Sequence, residues 1–236
     1  MLLGAVRLPG GMKIYTRAGD DGTTGLLYGD RVKKDSPQVA ANGAIDEAQA
    51  ALGLVRAEVE RSSELDSILV GLARDLYVVM AEMATPLAKR SNLKAGVSLV
   101  SAEMVGRLEE LIDRLSGRFP ELRDFVVPGH DRVSASLDFA RTLVRRAERE
   151  SVEALAPGSL IGAYLNRLSD LLWTMARWQE QGESLLSRTA ARRSPDVARQ
   201  AEQPDPRTHA KTRSYPQKLE PREPKGPREP KGDDNP

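Results

Sequence analysis

The chain contains no cysteine, which excludes disulfides and thiolate metal sites. Histidine is nearly absent as well: His130 and His209 are the only two, too few to build a histidine metal centre. Neither sign of charge is in excess. With 35 basic against 34 acidic residues there is no overall field to draw in nucleic acid or an anionic membrane, so any anion site has to be a local cluster. No apolar run approaches the roughly 18 residues of a membrane span, and Met1 to Arg7 is too short for the apolar region of a signal peptide. These absences are those expected of a soluble protein in a reducing cytoplasm.

What is present is 236 residues with 40% apolar content, enough for one good-sized core. The apolar residues stop near Trp178. Residues 1–11 lack periodicity and end in Pro9-Gly10-Gly11, so an N-terminal extension over 1–12 is expected, with Met12 as the working start. A domain over 13–181 and a Pro- and charge-rich tail over 182–236 complete the division. The tail repeats Pro221-Arg-Glu-Pro-Lys-Gly226 at once as Pro227-Arg-Glu-Pro-Lys-Gly232. Proline at that density removes donors and helical conformations, and the tail is expected to be disordered.

Helical periodicity runs through about 37–60, 64–84, 101–117, 132–155 and 159–181. Pro86, Pro120, Pro128-Gly129 and Pro157-Gly158 mark the joints, and Ser101-Ala-Glu103 has the form of an N-cap followed by a first-turn acid. Short joints between five helices predict an all-α, antiparallel five-helix bundle. No alternating pattern is strong enough to predict a sheet.

Chemistry-bearing residues gather in three places. From Tyr15 to Val32 the chain is loop-like, with glycines at 19, 22, 25 and 29 and with Asp20, Asp21, Thr23 and Thr24 among them. Backbone donors, hydroxyls and the Arg17 guanidinium suit a triphosphate, with Lys34 close behind. It is not a Walker A loop, because no Gly-Lys-Ser or Gly-Lys-Thr follows. On the fourth helix Arg141, Arg145 and Glu148 fall within roughly 60° at about 100° per residue, Arg149 sits at the edge, and Arg146 points away. Bordering Leu137 and Val144, these charges are expected to be partly desolvated. On the fifth helix Asn166, Asp170, Trp173 and Arg177 share a face. Asn166 is the functional candidate there, since its amide both donates and accepts. Asp170 is a possible neutraliser of a fourth-helix arginine, and on the first helix Asp46 is a natural counter-ion for one of the same arginines.

Six blocks in order carry a resemblance: Ile14-Tyr-Thr-Arg-Ala-Gly-Asp-Asp-Gly-Thr-Thr-Gly-Leu26, Arg31-Val-Lys-Lys-Asp35, Gly43-Ala-Ile-Asp-Glu47, Phe125-Val-Val-Pro-Gly129, Arg145-Arg-Ala-Glu-Arg149 and Tyr164-Leu-Asn-Arg-Leu-Ser-Asp170. Together they resemble the propanediol-utilisation-type ATP:cob(I)alamin adenosyltransferases, over roughly residues 13–180. The resemblance implies a homotrimer with active sites between neighbouring subunits and an N-terminal nucleotide-binding loop folded over ATP. It implies that Thr16, Arg17, Ala18, Gly19, Thr24, Gly25 and Lys34 bind ATP with Arg145, Glu148, Arg149 and Asn166. Catalytic roles would fall to Arg145, Arg149 and Asp46, with Asp46 and Arg145 as the inter-subunit ion pair. Phe125 would be the corrinoid-binding residue that displaces the lower axial ligand. The implied reaction moves the 5′-deoxyadenosyl group of ATP to cob(I)alamin, with Mg²⁺ accompanying the nucleotide and no protein-held metal. A cobalamin reductase and an adenosylcobalamin-dependent mutase are the implied partners, and an escort that delivers cobalamin without turnover is the alternative. One departure stands out. The family usually continues Pro-Gly with glycine or a small residue, whereas His130 and Asp131 follow Gly129 here. His130 then reads either as a helix-start residue or as a contact to the corrin.

Overall fold

The computed structural model describes residues 15–187. The expected extension, the Met12 start, His209 and both copies of the hexapeptide lie outside the described residues.

Five helices form where the breakers predict them: α1 Pro37–Glu58, α2 Glu64–Met83, α3 Ala102–Ser116, α4 Arg132–Ser151 and α5 Ile161–Gln179. Their starts have identifiable causes. Ser63 accepts the Asp66 amide at 3.1 Å to open α2, and Ser101 accepts that of Met104 at 3.4 Å to open α3. The α4 start is a reciprocal capping box, in which Asp131 accepts the Ser134 amide at 2.8 Å and the Ser134 hydroxyl accepts that of Asp131 at 3.2 Å. Pro37 opens α1, where its missing N–H costs nothing.

Cross-helix pairs fix the directions of the helices. Arg56 meets Asp66, Gln49 donates to the Ala73 carbonyl and Gln38 to that of Met83, so α1 and α2 run antiparallel. Glu47 pairs with Arg146 and Ser136 donates to Glu58, which makes α1 antiparallel to α4. Asp138 pairs with Arg177 and Glu148 with Asn166, so α4 and α5 are antiparallel too. Small residues let α1 and α4 approach: Ala41, Ala44, Ala48 and Ala51 face Ala140, Val144 and Ala147 within a single core. On α5, Leu165, Leu168, Leu171, Leu172 and Met175 are wholly buried. Tyr164 closes the α2–α3 side, its hydroxyl donating to Asp75 at 3.2 Å while Arg107 reaches the same carboxylate. Burial first, and then the charge of Asp75, pushes the Tyr164 phenol well above its ordinary value.

Two features differ from expectation. A two-stranded antiparallel hairpin, β1 Thr23–Gly25 and β2 Arg31–Lys33, lies within the N-terminal loop, with Thr24 opposite Val32. Strands of three residues are too short to show alternation. Residues 185–187, which the sequence places in a disordered tail, instead pair with the α3–α4 connection: Val127 donates to the Leu185 carbonyl and Ser187 to that of Phe125, both at 2.8 Å.

The long 84–100 connection is held by a buried acid. Glu82 accepts from Arg90 at 2.6 Å, from the Val100 amide at 2.7 Å and from the Ser159 hydroxyl at 2.6 Å. Three donors around one carboxylate satisfy what burial would otherwise make costly. Among the described residues no helix is long and apolar enough to cross a membrane.

Leu168 lies at the centre of α5 with no exposure. Replacing it with alanine is expected to remove about 2–5 kcal/mol of unfolding free energy through lost burial and the cavity left behind. Denaturant titration with an unchanged slope would register this, and a loss below about 1 kcal/mol would contradict the packing described.

Candidate active site

The N-terminal loop is a built structure. Arg31 organises it, donating to the Ala18 carbonyl and the Thr23 hydroxyl and lying 3.5 Å from Asp21. The Thr23 hydroxyl and amide both donate to Asp21, at 2.7 and 2.9 Å. These two bonds, and then the Arg31 charge, hold the Asp21 carboxyl below its ordinary value of 3.8. The hairpin hangs from the bundle at one backbone bond, where Leu27 donates to the Ala84 carbonyl at 2.9 Å.

Gly19 and Lys34 meet inside this loop. A Cβ on Gly19 would lie 3.1 Å from the Thr23 carbonyl and 3.3 Å from Nζ of Lys34. The Lys34 amide in turn donates to the Gly22 carbonyl at 2.9 Å. Thr16 accepts the Ala18 amide at 3.3 Å, and Arg17 stacks over the Tyr15 ring at 5.6 Å in the left-handed region, with φ of 59°. Thr24 and Gly25 lie on β1 and line a small pocket with Gln38 and Asn42. Thr16, Arg17, Ala18, Gly19, Thr24, Gly25 and Lys34 therefore fall in one hairpin loop.

A second cluster lies on the α4–α5 seam. Asn166 donates to Glu148 at 3.0 Å and accepts from Arg167 at 2.7 Å. Arg149 is exposed, and its guanidinium reaches back to the Arg145 carbonyl at 2.9 Å. Arg145 is also exposed rather than partly desolvated, and its guanidinium has no ion pair among the described residues. Helical arithmetic alone cannot see that this stretch of α4 is uncovered in a single chain. Arg146 faces the other way, as calculated, and pairs with Glu47 of α1. Asp170 lies 4.0 Å from Arg167 of its own helix rather than beside an arginine of α4.

Asp46 is exposed on α1, beside Gln49, Gly53 and Tyr77, and it has no ion pair among the described residues. Among those residues no hydrogen bond or ion pair joins the 16–34 loop to Arg145, Glu148, Arg149 or Asn166. Among the described residues the chain thus carries two separate polar clusters, with Asp46 and Arg145, of opposite charge, both lacking an ion pair. No group of three His, Cys, Asp or Glu side chains among the described residues could hold a metal.

Phe125 projects from the α3–α4 connection with 85% of its surface exposed, although its backbone is bonded on both sides. His130 is 3.7 Å from Glu183, beyond the helix-start position that Asp131 occupies. Two residues escaped the sequence reading. Arg31 has no role legible in the sequence Arg31-Val-Lys-Lys-Asp35, and its position opposite Gly25 across the hairpin is what gives it one. Arg177 belongs by spacing to a polar face of α5, yet it is among the most buried of the described side chains. Neither carries a signal before its neighbours are known.

A family model described as cobalamin adenosyltransferase matches residues 14–179. A corrinoid adenosyltransferase of Citrobacter freundii is 40% identical over 171 residues, covering 71% of this chain and 95% of that protein. The chain also matches the corrinoid adenosyltransferase PduO of the same organism, at 38% identity over 172 residues, and spans 50% of its length. Among solved structures, a phenylalanine-to-histidine variant of a PduO-type ATP:corrinoid adenosyltransferase from Lactobacillus reuteri, complexed with cobalamin and ATP, superposes with a TM-score of 0.67. It shares 28% identity over 75% of this chain and 97% of its own.

Gly19→Ala would force either the Lys34 side chain or the Thr23 carbonyl to move. Faster amide exchange at Lys34, with unfolding of the bundle unchanged, is the expected result; unaltered exchange would mean that the loop is not packed as described. Acid acts on the same loop through Asp21. With its folded value depressed, the Asp21 contacts contribute fully above the ordinary 3.8 and are lost as pH falls through the lower folded value. Carboxyl titration by NMR should show that depression, and Arg31→Ala should reduce it.

Proposed function

The chain belongs to the cobalamin adenosyltransferase family, and from that premise we propose that it transfers the 5′-deoxyadenosyl group of ATP to cob(I)alamin at sites shared between neighbouring copies. The observation that carries the shared site is the separation of its parts within one chain. Among the described residues the Lys34–Gly19 loop and the Arg145–Glu148–Arg149–Asn166 cluster make no bond to one another, and Asp46 and Arg145 stand exposed with no ion pair. A homotrimer in which the loop of one subunit faces α4 of the next completes the site and pairs Asp46 with Arg145. Closed cyclic assembly is the ordinary way for two different patches of one chain to satisfy each other.

In the reaction the electron pair of cob(I)alamin attacks C5′ of ATP. A cobalt–carbon bond forms, the C5′–O bond breaks, and triphosphate departs with the bonding pair. Because the nucleophile is supplied by the substrate, the protein needs no activated serine or cysteine and no histidine base. Its work is orientation and charge stabilisation. Lys34, Arg17 and the amides of Ala18, Gly19 and Gly25 face the phosphates from the loop, with the Thr16 and Thr24 hydroxyls. Arg145 and Arg149 face them from α4 and stabilise the charge that gathers on the leaving triphosphate. Glu148 and Asn166 hold each other at 3.0 Å and present an acceptor and an amide to the ribose and adenine. Phe125 covers the lower face of the corrinoid, excluding water and a ligand from the cobalt. His130 borders that loop.

A divalent ion such as Mg²⁺ would accompany the triphosphate, bridging its phosphate oxygens and adding to the positive field on the leaving group. Cob(I)alamin is a strong reductant, so we place the protein in the cytoplasm beside a cobalamin reductase, with an adenosylcobalamin-dependent mutase as recipient.

Anaerobic incubation with chemically reduced cobalamin and Mg-ATP should give adenosylcobalamin and triphosphate in equal amounts; stoichiometric binding without turnover would reduce the protein to a carrier. Arg145→Lys keeps the charge but loses the planar fork, and is expected to cost at least about tenfold in turnover with the fold intact. The shared site has its own test. Co-refolding Arg145→Lys with Lys34→Ala should restore activity above either variant alone, because about a quarter of randomly formed interfaces pair two intact halves. No recovery would place the site within one chain.

A further inference from the structure

Below the α4–α5 seam lies a cluster of charge that nucleotide binding does not use. Arg177 is 2% exposed, Asp138 6% and Glu180 1%. The Arg177 guanidinium donates to Asp138 and to Glu180, each at 2.7 Å, and Arg141 approaches Asp138 at 3.6 Å. Two acids and two guanidiniums balance, which is what allows Arg177, Asp138 and Glu180 to stay buried while Arg141 closes the edge of the cluster, half-buried. The second oxygen of Glu180 then accepts the hydroxyl of Ser184, beyond the end of α5.

Between those two residues the chain turns sharply. Gln181 and Gly182 both take the left-handed region, with φ of 50° and 85°, and a Cβ on Gly182 would come within 3.1 Å of the Pro120 ring. The turn delivers residues 185–187 alongside Phe125. Val127 donates to Leu185 and Ser187 to Phe125 through the backbone, Val126 and Leu186 form an antiparallel bridge, and the Ser187 hydroxyl donates to Asp124 at 3.1 Å. The Asp124 carboxylate also accepts the Phe125 amide at 2.8 Å. The backbone of Phe125 is therefore fixed on both sides while its ring is left almost wholly exposed.

We propose that Glu180, Ser184 and Ser187 are positioning residues for the reaction: the buried Arg177–Asp138–Glu180 cluster anchors the segment after α5, and that segment holds Phe125 at the height and angle needed to cover the lower cobalt face. The proposal rests on the adenosyl-transfer reading above and adds the device that aims the ring. Apolar coverage of a metal depends on rigid placement, since a ring free to swing admits water and the competing ligand. A backbone pairing anchored to a balanced ion cluster supplies that rigidity from outside the loop. The same two hydroxyls make no contact with the nucleotide loop, so their loss should leave ATP binding alone.

The test uses the full chain with cob(II)alamin and Mg-ATP, following by absorbance and electron paramagnetic resonance the form of cobalt that lacks a lower ligand. Ser184→Ala/Ser187→Ala is expected to lower the fraction in that form by at least about fivefold, in line with the loss of two hydrogen bonds. kcat should fall with it while the Kd for ATP stays unchanged, and Ser184→Thr/Ser187→Thr should restore both. A double variant that forms this species as the parent does would overturn the proposal, and so would one that loses ATP binding in parallel, because the device is confined to the Phe125 loop. Absence of the species in the parent chain would instead sink the adenosyl-transfer reading. Glu180→Gln, which keeps an acceptor for Ser184 but removes a charge opposite Arg177, should shift the cobalt spectrum in the same direction; an unshifted spectrum would overturn the part assigned to the ion cluster.

Discussion

The antiparallel contact between α4 and α5 is the constraint on which the remaining geometry depends. Asp138 meets Arg177 at one point of the seam and Glu148 meets Asn166 at another, about three turns apart on both helices. Between them the helices meet through apolar residues, Ala140, Val144 and Ala147 of α4 sharing one core with Leu168, Leu171 and Leu172 of α5. An apolar seam alone tolerates sliding by a turn, since one leucine or alanine replaces another at modest cost. A buried guanidinium cannot slide, because separation from its acids leaves charge uncompensated in the core. The ion cluster therefore acts more on register than on net stability, and register decides whether Glu148 reaches Asn166. The same register sets where Arg145 and Arg149 emerge from the wall.

From this seam the two regions of the candidate site inherit different kinds of order. The α4 cluster is rigid because its helix is wedged between α1 and α5, with Arg146 tied to Glu47 on one side and Asn166 tied to Glu148 on the other. The N-terminal loop is ordered by its own polar contacts, Arg31 bonding Ala18 and Thr23 while Asp21 accepts from Thr23. Few apolar residues hold it down: Leu27 and Val32 are only half-buried. A loop with that balance can open and close again at small cost, whereas an arginine stripe on a packed helix keeps its spacing throughout.

How much of this was legible in advance follows from the range of each interaction. The helices were, because Pro86, Pro120, Pro157 and the cap at Ser101 are local signals. The orientation of Arg146 away from Arg145 was as well, being a matter of angle along one helix. The β1–β2 hairpin was not, since three-residue strands such as Thr23–Gly25 carry no alternation. Nor was the burial of Arg177. Its face of α5 begins in solvent at Asp170 and passes beneath the segment after α5, so one line of polar residues crosses from surface to core. Proline and charge further along made that segment read as the start of a tail. What joins it to Phe125 is mostly backbone hydrogen bonding, which any sequence could supply, and the partners of the Ser184 and Ser187 hydroxyls, Glu180 and Asp124, are known only once the chain has folded.

The chemistry explains why so little of the active region is conventional catalytic equipment. When a reduced metal attacks carbon and triphosphate leaves, no proton needs to move in the bond-making step, and an acid or base would contribute little. The barrier is then addressed by alignment, by the field acting on the departing phosphates, and by the ligand state of the metal. Each of these is a matter of placement, which rigid helices and short paired segments provide better than titrating groups do. A chain with two histidines and no cysteine is not poorly equipped for such a reaction. Its arginines need to be fixed in space, and the buried cluster around Arg177 serves that need at one step removed, setting the register of α4 from one face and tethering the Phe125 loop from the other.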